Sequence, residues 1–132
     1  MDDGERCPCG SGRAMGACCG PYLAGGVVPT AEALMRSRFT AFALGDEAHL
    51  LRTWDAAARP REVRFIPGQR WVRLEVLATI AGDVLDKEGA VEFRAHYERD
   101  GAPGVLHELS RFVRDDAQRW VYLGPLDAEL DG

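Results

Sequence analysis

Cys7, Cys9, Cys18 and Cys19 are all the cysteines in the chain, and they crowd its first block with the spacing C-x-C-x8-C-C. Four thiolates are the right number for a closed tetrahedral zinc site, and four soft ligands leave no position for a catalytic water. Pro8 fixes the backbone between the first pair, while Gly10, Ser11 and Gly12 can turn and aim backbone N–H groups at sulfur. A zinc ion with four thiolates keeps net negative charge, which Arg6 and Arg13 are expected to offset. The alternatives are two disulfides or free thiols. Adjacent Cys18 and Cys19 would bridge each other only with strain. Cu(I) and iron–sulfur clusters also take thiolates, but zinc suits an isolated closed site best.

A second group of candidate residues lies in the third strand-like segment. Leu106, Glu108, Ser110 and Phe112 alternate there with Val105, His107, Leu109, Arg111 and Val113. Neither face is purely apolar, so whichever is covered takes polar groups inside, and buried charge must be paired or line a wet cavity. Phe112 favours the face with Glu108 and Ser110. Arg36 or Arg38 of the first helix is then the expected partner of Glu108, either as a structural ion pair or as part of a pocket. Trp54, Trp71, Tyr97, Trp120 and Tyr122 are expected as core or pocket wall. His96 and His107 are expected at the surface, and so is His49, near a helix start. No nucleophile motif, phosphate loop or dinucleotide fingerprint is present, and Gly10-Ser11-Gly12 is too short to cradle a nucleotide.

The elements that must position these residues follow in three blocks. Residues 1–26 show no helical or strand period. The second block, from Pro29 to Trp54, is helical: Thr30 is an N-cap, Ala31, Leu34, Met35, Phe39 and Phe42 form one apolar stripe, and Gly45 ends the helix. Asp46 caps a shorter helix through Leu50, Leu51 and Trp54. The third block alternates like an antiparallel sheet, with Val72, Leu74, Val76, Ala78 and Ile80 on one face of the first strand, and Val91, Phe93, Ala95 and Tyr97 on one face of the second. Asp100-Gly101 and Pro103-Gly104 read as turns, and a third strand runs from Val105 to about Arg114. A fourth spans Arg119 to Leu123. Helices followed by an antiparallel meander give an α+β fold, with the helices packed on one face of the sheet.

The chain has 132 residues, enough for one core, and a net charge of −5 that argues against general nucleic-acid binding. Six arginines lie between Arg52 and Arg73 against only Asp55 and Glu62, which reads as a solvated charged loop. Asp127, Glu129 and Asp131 make the C-terminal stretch acidic. No segment is long and apolar enough to cross a bilayer, and the acidic start lacks the pattern of a secretory signal. The expected location is the cytoplasm, where clustered cysteines more often mean metal than disulfide.

The run Cys7-Pro8-Cys9-Gly10-Ser11-Gly12 with Cys18-Cys19 resembles the SEC-C zinc motif, known at the end of the SecA translocase motor and in many other bacterial proteins. Together with Gly20-Pro21-Tyr22, Ala33-Leu34-Met35-Arg36-Ser37-Arg38-Phe39, Thr53-Trp54 and Glu108-Leu109-Ser110-Arg111-Phe112, it makes nearly the whole chain resemble the bacterial YchJ family. That resemblance implies a zinc knuckle over residues 1–26. Residues 27–132 would form a nuclear transport factor 2-like cone, helices against a strongly curved sheet. It implies no particular reaction. The resulting expectation is a non-catalytic binding or docking module that holds structural zinc, with a small-ligand pocket among Arg36, Arg38, Trp54, Tyr97, Glu108 and Ser110. A protein partner would dock on the knuckle, by analogy the ribosome or the secretion machinery, and the sheet face could pair two copies of the chain. The rival is a small enzyme using Glu108 as general acid or base, helped by Arg38 or Tyr97.

Overall fold

Two helix starts are written by single side chains. In a computed structural model, which describes residues 2–131, α1 is a single turn (Gly20–Leu23) and α2 spans Ala31–Leu44. Thr30 accepts the Ala33 N–H at 3.1 Å, and Gly45 stops α2 at a φ of 75°, a cap worth about 1 kcal/mol and a conformation that suits glycine. α3 (Glu47–Arg52) starts at Asp46, which accepts the His49 N–H at 3.1 Å. Both boundaries lie where the sequence puts them. The single stripe expected on α2 understates its burial, because Ser37, Arg38 and Thr40 are covered along with Leu34, Met35 and Phe39. The sheet lies on one side of α2, and α3 and the N-terminal segment cover the rest.

The sheet is an antiparallel meander in the order β1-β2-β3-β4: β1 Gln69–Ala81, β2 Glu88–Arg99, β3 Ala102–Arg114 and β4 Trp120–Asp131. In β2 the expected face, Val91, Phe93, Ala95 and Tyr97, is buried. In β1 the expected alternation fails. Register shifts between Trp71 and Arg73 and between Val76 and Ala78 each put an extra residue, Val72 and Leu77, into the strand, so Leu74 is buried while Val72 and Ile80 are exposed. These bulges also increase the strand's local twist.

Asp100-Gly101 forms the two-residue hairpin turn, with φ of 51° and 85° and Arg99 opposite Ala102. Pro103-Gly104 is not a turn but the start of β3, opposite Glu98 and Tyr97. Proline is tolerated there because that end of β3 lies beyond its pairing with β4, which begins at Val105. Gly104 is required for a different reason: a Cβ at this position would overlap the Tyr97 ring. Gly104→Ala should lower stability by about 2 kcal/mol, read as a lower urea midpoint; an unchanged midpoint would contradict the close packing.

β4 extends past the expected end at Leu123, to Asp131, so Asp127, Glu129 and Asp131 belong to a strand. Pro125 lies in this edge strand, where the missing donor costs least. The other edge of β4 is met by the chain leaving α3: Tyr122 N–H donates to Thr53 O and Asp55 N–H donates to Tyr122 O. α2 presses Leu34, Met35 and Phe39 onto Val91, Phe93 and Phe112 to form the core. The arginine-rich stretch does not converge on one point: Arg64 pairs with Glu62, Arg70 with Glu98, and Arg59 with a backbone carbonyl. Among the described residues no helix is long and apolar enough to cross a membrane.

A candidate metal centre and a neighbouring cavity

A tight hairpin and one helical turn bring the cysteines together. Cys7 N–H donates to Arg13 O at 2.9 Å, and Gly10 and Gly12 take φ of 80° and 85° to reverse the chain between them. A 3-10 turn, Met15–Ala17, then delivers Cys18 and Cys19. All four sulfurs lie within 4.8 Å of one another, and all four residues are buried. The Cys9–Cys18 and Cys18–Cys19 sulfur separations, 3.5 and 4.0 Å, are too long for disulfides. A tetrahedral ion about 2.3 Å from each sulfur would hold the sulfurs about 3.8 Å apart, so the donor set fits one mononuclear ion. A cluster with several irons between the ligands would spread them further.

The surroundings complete the site from both sides. Ser11 Oγ lies 3.1 Å from Cys18 Sγ, and Thr40 Oγ1 donates to Cys19 Sγ at 3.4 Å and lies 3.7 Å from Cys7 Sγ. Arg36, expected in a pocket, instead donates to Cys9 O at 2.9 Å and to Glu32 Oε2 at 3.0 Å. It is therefore the cation of the cluster. Arg6 and Arg13 are exposed. Without metal, the hydrogen bond from Cys19, helped by Ser11, pushes the Cys9 thiol down to about 4. The same bond and burial push Cys19 up, and burial raises Cys18. Cys9 gives up its proton easily while Cys18 and Cys19 hold theirs, so a bound dication would have to expel those two.

The opposite face of α2 lines a cavity of about 160 Å³ with Arg38, Phe39, Trp54, Glu108, Ser110 and Tyr122 in its wall. Arg38 is 4% exposed. Its Nη1 donates to Leu50 O at 2.8 Å and to Thr53 Oγ1 at 2.7 Å, and its guanidinium sits 4.8 Å from the Trp54 ring and 4.6 Å from the Tyr122 ring. Burial lowers its pKa to about 10, so it stays charged at neutral pH. Glu108 makes no ion pair with Arg36 or Arg38, contrary to expectation; Ser110 Oγ and Tyr122 OH both donate to its Oε2, the latter at 2.8 Å. Burial, then the nearby Glu108, raises the Tyr122 pKa. Tyr97 is not in the wall either; its ring packs edge-on against Trp71 at 5.2 Å. The cavity thus brings together Arg38, Trp54, Glu108 and Ser110 of the expected set. It adds Tyr122, which the sequence marked only as core or pocket wall.

His49 is the largest departure from expectation, at 1% exposed. Because α3 folds back on α2, position 49 faces inward. Ser37 donates its hydroxyl to Leu34 O at 2.8 Å, so His49 Nε2 donates to Ser37 Oγ at 2.9 Å; Nδ1 accepts from Arg52 at 3.0 Å. The neutral ring is fully satisfied. Burial, Arg52 and Arg38 push its pKa down to about 4. Ser37 is no nucleophile in this setting, since its proton is committed to a backbone carbonyl. His96 and His107 are part-exposed and paired, His96 with Glu75 and His107 with Glu92 at 2.7 Å.

A family model described as YchJ, middle NTF2-like domain, matches residues 30–125. A UPF0225 protein of Streptomyces coelicolor is 48% identical over 88% of this chain and 90% of its own length. The chain belongs to the YchJ family. A second relative, a UPF0225 protein of Corynebacterium efficiens, is 51% identical over 89% of each chain. The solution structure of a SEC-C motif containing protein from Rhodopseudomonas palustris superimposes with a TM-score of 0.79 at 32% identity, over 94% of this chain and 97% of that one. The crystal structure of a SEC-C motif containing protein from Psychrobacter arcticus gives 0.76 at 26% identity, over 94% and 83%. The YchJ-family fold expected from the sequence, an N-terminal cysteine knuckle followed by helices on a curved antiparallel sheet, is the fold observed.

Proposed function

We propose that this chain is a non-catalytic binding protein. Its N-terminal 26 residues form a knuckle around one structural zinc ion, and the remainder is a cone that holds a small ligand. Cys7, Cys9, Cys18 and Cys19 are the zinc ligands in this reading, with Thr40, Ser11 and Arg36 supporting them. Zinc would supply cross-linking here and no reactive position, because the four thiolates fill its preferred coordination. The convergence of four buried sulfurs within 4.8 Å carries this reading. The knuckle's exposed turn is the expected docking surface for a protein partner. A cytoplasmic location belongs to the same reading, because thiols stay reduced there and free to hold zinc.

The cavity is read as a binding site rather than a reaction centre. The enzyme reading has one observation in its favour, the carboxylate of Glu108 in the cavity wall. None of the histidines shares that wall, and Glu108 already accepts from Ser110 and Tyr122. Native mass spectrometry of the protein purified from its host tests the binding reading. The expected spectrum shows zinc together with a noncovalent organic companion, on the order of a hundred daltons for a one-ring molecule, lost on denaturation. A zinc-loaded chain that is always bare, yet turns over small carbonyl compounds in a Glu108-dependent way, would overturn it.

A further inference from the structure

We propose that the cavity selects a small neutral ligand that presents a carbonyl-type acceptor and an N–H donor on a one-ring apolar body, as a carboxamide or cyclic amide does. The proposal rests on the reading of the cavity as a ligand site. It starts from the hydrogen-bonding capacity that the protein leaves unused.

Arg38 has five N–H donors, and Nη1 serves Leu50 O and Thr53 Oγ1. Its Nε and Nη2 have no partner among the described residues. Glu108 receives Ser110 and Tyr122 on Oε2, which leaves Oε1 equally without one. Among the described residues, however, no fully buried side-chain nitrogen or oxygen lacks a partner. These atoms are therefore reached by solvent, and both residues line the cavity. A ligand that expels this solvent must replace its hydrogen bonds: an acceptor for Arg38 and a donor for Glu108.

Charge narrows the class further. The guanidinium and the carboxylate balance each other, and each polarises the same side chain, Tyr122, one from the ring face and the other from the hydroxyl. An anion would satisfy Arg38 but meet Glu108, and a cation would do the reverse, so each carries a repulsive contact into a desolvated space. A hydrocarbon would leave both groups stripped of water. A neutral amide meets both. The remaining walls are apolar, with Phe39, Phe42, Trp54 and Trp71 among them. The volume of about 160 Å³ is close to the roughly 150 Å³ that accommodates a benzene ring.

The test is a titration of the zinc-loaded wild-type protein with benzamide, benzoate, benzylamine and toluene, followed by NMR and calorimetry. Benzamide should bind and shift the Trp54 indole N–H and Tyr122 signals, with the other three at least about tenfold weaker. Glu108→Gln keeps an oxygen for Ser110 and Tyr122 but turns an N–H₂ toward the ligand. It should weaken benzamide about tenfold without weakening toluene, which has no hydrogen bond to lose. If toluene, benzoate or benzylamine binds as well as benzamide, the ligand class is wrong while the ligand site stands. If none of the four perturbs the cavity signals at millimolar concentration, the ligand-site reading itself fails.

Discussion

Cys9→Ser should cost the protein its metal and the fold of its N-terminal segment together, while the helix–sheet body stays folded. The two regions have separate cores. Around the cysteines, among the described residues, only Met15 is buried with them, with Leu23 packed alongside, whereas the main core is built from α2 and the sheet. So little apolar burial cannot order about 26 residues against their conformational entropy. In the proposed reading metal supplies the difference, as structural zinc binds zinc-finger peptides with about 10–16 kcal/mol at neutral pH. The expected result is loss of zinc by metal analysis, collapsed amide dispersion for the knuckle, and retained signals for β2 and β3. α2 should lose some stability, because Arg36 and Thr40 lose Cys9 O and the sulfurs as partners. A Cys9→Ser protein that keeps full zinc and the native knuckle spectrum would contradict this account.

Lowering the pH from 7 to 4 should remove about 3 kcal/mol through His49 alone. The free imidazole takes its proton near 6.5, but in the folded protein it resists until about 4. In that window the unfolded chain binds more protons, so stability is fully present above 6.5 and is lost as the pH falls toward 4. The cause is geometric. Nδ1 accepts from Arg52, and a proton there would break that bond and set two cations face to face, with Arg38 close and only Asp46 in opposition. His49→Gln can keep both hydrogen bonds without titrating. Urea midpoints at pH 7 and 4.5 should therefore converge in the variant relative to wild type, other acid effects being common to both. Equal pH slopes in the two proteins would show that His49 does not titrate as described.

The sequence made the cysteine cluster more legible than the cavity, for a physical reason. The cysteines sit within one short segment, so spacing and thiol chemistry suffice to group them. Of the groups that support them, Ser11 is local, but Arg36 and Thr40 come from α2, and nothing local to Cys9 announces either. That is why Arg6 and Arg13, near in sequence, looked like the counter-charges. The helix caps at Thr30, Gly45 and Asp46 were legible because capping is a local interaction.

What failed was whatever depended on register or on packing between elements. The bulges of β1 turned Val72 outward, and Pro103-Gly104 carried turn residues into a strand whose exposed end and close Tyr97 contact require them. His49 could not be placed without knowing that α3 folds back on Ser37. Glu108 and Ser110 were readable because polar residues interrupted an otherwise apolar strand face. Their partner was not: Tyr122 reaches Glu108 from the neighbouring strand, and Arg38 turns instead to Leu50 and Thr53.

The central claim is that Cys7, Cys9, Cys18 and Cys19 close one zinc ion in thiolate. X-ray absorption at the zinc edge, on protein purified with its native metal, tests it most directly. The account predicts one zinc per chain surrounded by four sulfur scatterers at about 2.3 Å, with no nitrogen or oxygen in the shell. A shell containing oxygen, a stoichiometry well below one, or iron in place of zinc would contradict it.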